Sequence, residues 1–164
     1  MASDYFLKLK GIDGESKDDK HTNQIDVLSF SWGASQPGTF GQGSGGTAGK
    51  VSMSDLSFMM AFSKASTELM AACASGKHIE EGILYCRKST GDGGQSEYMT
   101  FTFSPVIVAG YQTSGSGGGT EVPMDSVQLN YGKIKVEYKM QVDDKGTLQA
   151  GTPFGWSIEK NAKF

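Results

Sequence analysis

Two cysteines, two histidines and no long apolar run set the first limits on this chain. So few cysteines in a reducing compartment read as free thiols, so Cys73 and Cys86 carry no expected disulfide. A zinc site needs three or four clustered Cys, His or carboxylate ligands, and Cys73, Cys86, His21 and His78 have no such spacing. No stretch approaches the roughly 20 apolar residues of a membrane span. Met1-Ala2-Ser3-Asp4-Tyr5 lacks a basic region and a long apolar run, so no signal peptide is expected and the chain should fold in the cytoplasm. A dominant charge is missing too: the net charge is −3, with both signs interspersed. That excludes the basic patches on which nucleic-acid and anionic-membrane binders rely, so neither partner is expected.

What is present is glycine and alternation. The chain has 164 residues, enough for one domain, expected over 1–164, whose core needs no disulfide or metal. Its 23 glycines are about twice the usual share of roughly 7% and cluster in loops. Strands are expected over 5–10, 24–32, 83–88 and 98–103, each with apolar residues at alternate positions. Pro105 interrupts the last of these, with 106–111 continuing as an edge or a new strand. Val127, Leu129 and Tyr131 alternate at odd positions, then Ile134, Val136, Tyr138 and Met140 at even ones, which predicts a bulge at Gly132. Phe154, Trp156 and Ile158 make a last short strand. One helix is expected over 66–75, capped by Ser66, with Glu68 in its first turn, Leu69, Met70 and Cys73 as its apolar stripe, and Gly76 to end it. Seven or eight strands and one helix favour a small barrel or sandwich.

The stretch from Ile25 to Lys50 carries the functional signal. Alternation places Leu28, Phe30 and Trp32 on a core face and Ile25, Val27, Ser29 and Ser31 on the other. A glycine-rich arm follows, with Gly38, Gly41, Gly43, Gly45, Gly46 and Gly49 before Lys50. A structureless loop of that length in a compact domain usually serves to grip a ligand, cover a site or reach a neighbouring subunit. The phosphate-loop reading fails, because the pattern needs glycine at Ser44 and a hydroxyl at Val51. Cys73 and His78 lie five residues apart across a helix end, but Cys73 falls on the apolar stripe and reads as core rather than as a nucleophile. Asp13, Glu15, Asp18 and Asp19 lack the ligand order of a calcium loop and read as a solvated turn, and the histidines as surface or loop groups. Phe30, Trp32, Phe101, Phe103 and Trp156 read as core before they read as a ligand platform. No catalytic residue, cofactor or metal is expected. Small polar strand faces and two glycine-rich loops point to assembly, with a monomeric ligand-binding β-barrel, such as a carbohydrate-binding module, as the alternative.

The chain resembles the Hcp (haemolysin-coregulated protein) family of type VI secretion systems. The matching blocks run in order along nearly the whole chain. They are Gly14-Glu15-Ser16-Lys17-Asp18 with His21; Ile25-Asp26-Val27-Leu28 with Ser31-Trp32-Gly33; Ala48-Gly49-Lys50-Val51; and Asp55-Leu56-Ser57-Phe58. Leu69-Met70, Ala72-Cys73 and Ser75-Gly76-Lys77-His78 follow, then Val127, Leu129-Asn130, Val136, Tyr138, Phe154-Gly155-Trp156 and Asn161. The resemblance implies a mainly β, two-sheet barrel with one flanking helix and long glycine-rich loops. It implies a homohexameric ring that stacks into a tube inside a contractile sheath, beneath a VgrG-type spike. The protein would be exported without a cleaved signal and would carry small protein effectors in the ring. It places Ser29 and Ser31 on the channel wall and makes the arm from Gly38 to Lys50 a subunit contact. No enzymatic activity is implied.

Overall fold

The computed structural model describes residues 3–38, 40, 49–89, 95–119, 121–143 and 147–164. In chain order these form β1 (Ser3–Leu9), β2 (Ile25–Val27), β3 (Ser29–Ser31), β4 (Ala34–Ser35), β5 (Ser52–Met53) and β6 (Leu56–Ala61). Then come α1 (Lys64–Ser75), β7 (His78–Ile79), β8 (Gly82–Ser89), β9 (Gln95–Ser114), β10 (Met124–Gln141), β11 (Leu148–Ala150), β12 (Phe154–Ser157) and β13 (Ala162–Lys163). The mainly β class with one helix is as expected.

Two long strands organise the rest. β9 and β10 pair antiparallel from Met124↔Ser114 to Tyr138↔Met99, long enough to serve two sheets. The first half of β10 carries β6, and β6 carries β3. The first half of β9 carries β8, β1 and β2 in turn. The second half of β10 carries β12 and then β11, with β13 beyond β12. Between the sheets, and under α1, lies the core of Leu7, Leu56, Phe58, Leu84, Phe103, Val127, Leu129 and Ile134. Burying such side chains contributes about 1.5–3 kcal/mol each.

Both long strands change the parity of their buried residues at one level. β9 buries Phe101 and Phe103, then Val106 and Val108; β10 buries Leu129 and Tyr131, then Ile134. At that level the Ser104–Pro105 bond is cis, and a Cβ on Gly132 would lie 3.1 Å from Pro105 Cδ. Yet Tyr131↔Val106 and Lys133↔Ser104 stay in one register, so Gly132 is not the expected bulge; the shift lies at Gln128/Leu129. Pro105 does not end the strand either. It falls between the last partner of β8, at Phe103, and the first partner of β7, at Val106, where no ladder on that side calls for its missing N–H.

The strand expected over 24–32 is two strands. β2 pairs with β1, β3 pairs with β6, and the chain breaks at Leu28 as it passes from one sheet to the other. Alternation restarts there. Ile25 and Val27 are buried at 2% and 6%, while Leu28 is 56% exposed, which reverses the faces expected for these three residues. Phe30 still faces the core, and Ser29 and Ser31 face out. The strand ladder does not close into a barrel among the described residues. β2 pairs only with β1 and β3 only with β6, and between them the chain steps through Leu28, whose N–H donates to Met59 O at 2.8 Å.

The helix starts before Ser66. Ser63 is the cap: its hydroxyl accepts from Ala65 N at 3.3 Å, and the Ser66 hydroxyl accepts from Ser63 N at 3.0 Å. Two serines three residues apart satisfy each other's orphan donors, which moves Glu68 out of the first turn. Gly76 ends the helix at φ 68°, the left-handed conformation glycine adopts without strain. The buried stripe is Ala65, Ser66, Leu69 and Ala72, with Met70 and Cys73 at its flanks.

Candidate functional site

Ser29 and Ser31 belong to an exposed sheet face built by four strands. Residues directly opposite in an antiparallel pair share a face. Ser29 lies opposite Met59, Met59 opposite Ser126, and Ser126 opposite Gln112. The next row is Ser31, Ser57, Gln128 and Gly110, and a third is Ala61, Met124 and Ser114. None of these eleven positions carries a charge. Gln128 lies flat across the sheet, because a Cβ on Gly110 would collide with its amide.

The other face of the same strands is core. Phe30, Phe58, Val127 and Tyr111 form one row, and Leu56, Leu129 and Val108 the next. Phe58 and Val127 are 1% and 0% exposed. The sheet is therefore two-sided, apolar inward and uncharged outward, where serine and glutamine are joined by Met59, Met124 and Ala61. Sequence reasoning found Ser29 and Ser31 on this face and missed Ser57, Met59, Ser126 and Gln128. The odd-position alternation of Val127, Leu129 and Tyr131 carried the signal for the last two.

The arm has a structured base. β4 pairs with β5, Ser54 Oγ accepts from Gly33 N at 2.8 Å, and Gly49 N donates to Pro37 O at 3.0 Å. A Cβ on Gly49 would stand 2.6 Å from Pro37 Cγ, so this crossing requires glycine. Trp32 anchors the base by donating its indole N–H to the Tyr131 hydroxyl, which donates to Ser54 O at 2.8 Å. Gly38, Gly49 and Lys50 are exposed; Gly41, Gly43, Gly45 and Gly46 lie outside the described residues.

The acidic loop is not simply solvated. Arg87, 7% exposed, donates to both Asp18 oxygens at 2.9 and 2.6 Å and to Asp4 at 3.3 Å. The Arg87 hydrogen bonds hold the Asp18 carboxyl down at about 2. His21 is a loop group within hydrogen-bonding distance of Gln24, as one of the two sequence readings had it, but it is buried, at 2% exposed. It stacks on Phe6 at 4.5 Å, with Nδ1 2.9 Å from Gln24 and Nε2 3.0 Å from Glu97. Glu15 accepts from the backbone of Lys64 at 3.1 Å, at the helix N-terminus. The loop over 14–24 is thus clasped to the sheet by an ion pair and a stacked ring, which makes it a structural element.

Cys73 is half-buried and His78 exposed, and both cysteines are free. Burial pushes the Cys86 thiol up to about 12, which suppresses the thiolate that chemistry would need. Phe101 and Phe103 are buried, and Phe30, Trp32 and Trp156 pack against the core, so these rings form no exposed ligand platform. Among the described residues no group of His, Cys, Asp and Glu could hold a metal, and no helix is long and apolar enough to cross a membrane.

Comparison with known proteins places the chain among relatives. A family described as type VI secretion system effector, Hcp, matches residues 6–138. The chain is 41% identical over 163 residues to protein hcp1 of Pseudomonas aeruginosa, covering 99% of each chain. Among solved structures it is similar to a type six secretion system protein, with a TM-score of 0.92 and 34% identity over 99% of this chain and 100% of that one. Hcp1 from Salmonella typhimurium superposes with a TM-score of 0.81 and 40% identity over the whole of both chains.

Proposed function

Because the chain belongs to the Hcp family of type VI secretion proteins, we propose that it is a single-domain subunit of the secretion tube. Six copies form a ring, rings stack, and the tube is exported without a cleaved signal, within a contractile sheath and under a VgrG-type spike. In this reading the Leu28 corner completes the two-sheet barrel. The observation that carries the proposal is the neutral face of β3, β6, β10 and β9. A channel that passes folded cargo has to hold it without gripping it. A wall mostly of serine and glutamine, with Met59 and Met124 set into it, keeps much of its hydration, offers weak hydrogen bonds and carries no charge in these three rows for cargo to bind or repel. Ser29 and Ser31 then face the lumen, where small effector proteins ride. The arm from Gly38 to Lys50 provides contact between subunits, and its base is held rigidly enough by Trp32, Tyr131 and Ser54 to aim it.

Size-exclusion chromatography with light scattering, and negative-stain images, test the assembly. Six-membered rings with a central opening are the expected outcome. A protein that stays monomeric at every accessible concentration contradicts it.

A further inference from the structure

The corner where the chain changes sheets carries an apolar cleft that neither the core nor the neutral face accounts for. Ile25 and Met60, 2% and 1% exposed, form its floor. Leu28 and Phe62 form its walls and stand out from it, 56% and 36% exposed. Both walls are fixed through the backbone: Leu28 N donates to Met59 O at 2.8 Å and Phe62 N to Pro123 O at 2.9 Å. The cleft has a volume of about 160 Å³. An apolar cavity of roughly 150 Å³ holds one benzene ring, and pockets for whole small molecules start at about 300 Å³. The cleft therefore has room for a single aromatic side chain. Exposed apolar walls around a pocket of that size are the setting of an interface anchor.

The rim of the cleft is acidic. Glu15 and Asp26 line it, and among the described residues no lysine or arginine does. Neither carboxylate has an ion-pair partner among those residues. Glu15 Oε2 accepts from Lys64 N at 3.1 Å, which holds that carboxylate at the cleft. The Asp26 anion is disfavoured where it stands: burial pushes its carboxyl up, and Asp18 and Asp4 add repulsion. A cation brought to this rim relieves that repulsion and gains charge-assisted hydrogen bonds. The chemistry that fits is thus a ring for the floor beside a positive charge for the rim.

We propose that the cleft is a selective seat for cargo, taking an aromatic side chain of an effector protein between Leu28 and Phe62 and a neighbouring arginine or lysine of that effector against Asp26 and Glu15. This rests on the tube reading above and names the cargo chemistry that the tube selects. The cleft adjoins the neutral face, because Ala61 lines it and also stands in the third row of that face. The face holds cargo weakly and without preference; the cleft adds the preference. The chain itself offers no such guest among its described residues. Its exposed aromatics beside a lysine are Tyr138 and Phe164. Tyr138 is paired with Met99 on one side and accepts from Gly151 N on the other. Phe164 is bonded to Gly155 through its backbone, with Lys133 Nζ 5.5 Å from the centre of its ring. Both are tied to their own subunit, so the guest comes from another protein. An aromatic guest meets Phe62 edge to face and Met60 through a polarizable sulfur.

The test uses the whole protein, with rings followed by light scattering, and three fluorescein-labelled peptides read by anisotropy: Ser-Phe-Arg-Ser, Ser-Phe-Glu-Ser and Ser-Ala-Arg-Ser. The first should bind the rings, and the other two about tenfold more weakly. Leu28→Ser should weaken the first peptide by about tenfold and Asp26→Asn by about threefold, with the rings intact, since both residues are exposed. Equal affinity for the three peptides, or unchanged affinity in both variants, overturns the seat and leaves the tube reading standing. Rings lost in Leu28→Ser and Asp26→Asn, while both variants stay folded, make the cleft a joint between copies and overturn its role for cargo. Wild-type protein that never forms rings overturns the tube reading, whatever the peptides do.

Discussion

At the residue scale, the decisive groups are few and mostly polar. Arg87 clamps Asp18, and the folded pKa of that carboxyl, about 2, lies below its ordinary 3.8. A depressed carboxylate stabilises the fold in full above its unfolded pKa and loses that contribution as pH falls toward the folded one. Urea unfolding between about pH 5 and 2 should therefore show stability falling with acid, with a shallower fall in Asp18→Asn. At neutral pH that variant should lose about 1–3 kcal/mol, since a buried guanidinium keeps only Asp4 as a carboxylate partner. The thiols differ in the same physical way. Cys86 is fully buried with a pKa near 12, so a maleimide at neutral pH should label at most one cysteine in the native protein and both in denaturant. Rapid labelling of two in the native state would contradict the burial. Gly14 is fixed by backbone: a Cβ there would lie 2.7 Å from Ile25 Cα, and only hydrogen fits.

At the element scale, α1 and the bend in the hairpin show where local signals suffice and where they compete. Both Ser63 and Ser66 are good caps, and sequence alone ranks neither. Packing decides, because the Ser66 hydroxyl donates to the fully buried Asp125 at 2.6 Å, which places Ser66 inside the first turn. Ser63→Ala should cost about 1 kcal/mol, the usual worth of a cap. Ser66→Ala should cost more, about 2–3 kcal/mol, because it also strips a buried carboxylate of its donor. Thermal unfolding of the two variants side by side checks the order, and an equal loss would count against the Ser66–Asp125 bond. The hairpin makes the opposite point. Pro105 and Gly132 read as a strand break and a bulge, yet the register passes both unaltered. Two strands that turn together keep their partners and exchange which face is buried, a change that one strand's pattern reports as an irregularity.

At the scale of the whole molecule, exposed features that are idle in one chain gain a use under the proposed assembly. The neutral face is too wide and too polar to be core, and the exposed Tyr138, Met140 and Val142, at alternate positions of β10 and its continuation, form a stripe too apolar to be left in water. If assembly buries the stripe, melting temperature should rise with protein concentration, by several degrees over a hundredfold range, as mass action requires. A melting temperature independent of concentration across that range would speak against a ring in equilibrium with its subunits. Ser31→Trp should leave the ring intact, since Ser31 is exposed and on the face away from the core, but should lower the amount of effector recovered with it. Loss of the ring instead would place Ser31 at a subunit joint.

The sequence by itself determined the β class, the single helix, the outward position of Ser29 and Ser31 and the family, because alternation, capping residues and ordered motifs are local and survive in one dimension. Only the tertiary structure decided the rest. Leu28 turns out because the chain changes sheets there, and no pattern within nine residues records which strand each half pairs with. His21 turns in because Phe6 and Glu97, distant in sequence, offer it a ring and a carboxylate. The neutral face exists only when β3, β6, β10 and β9 lie side by side, and the stripe on β10 is exposed only because the core ends before the strand does.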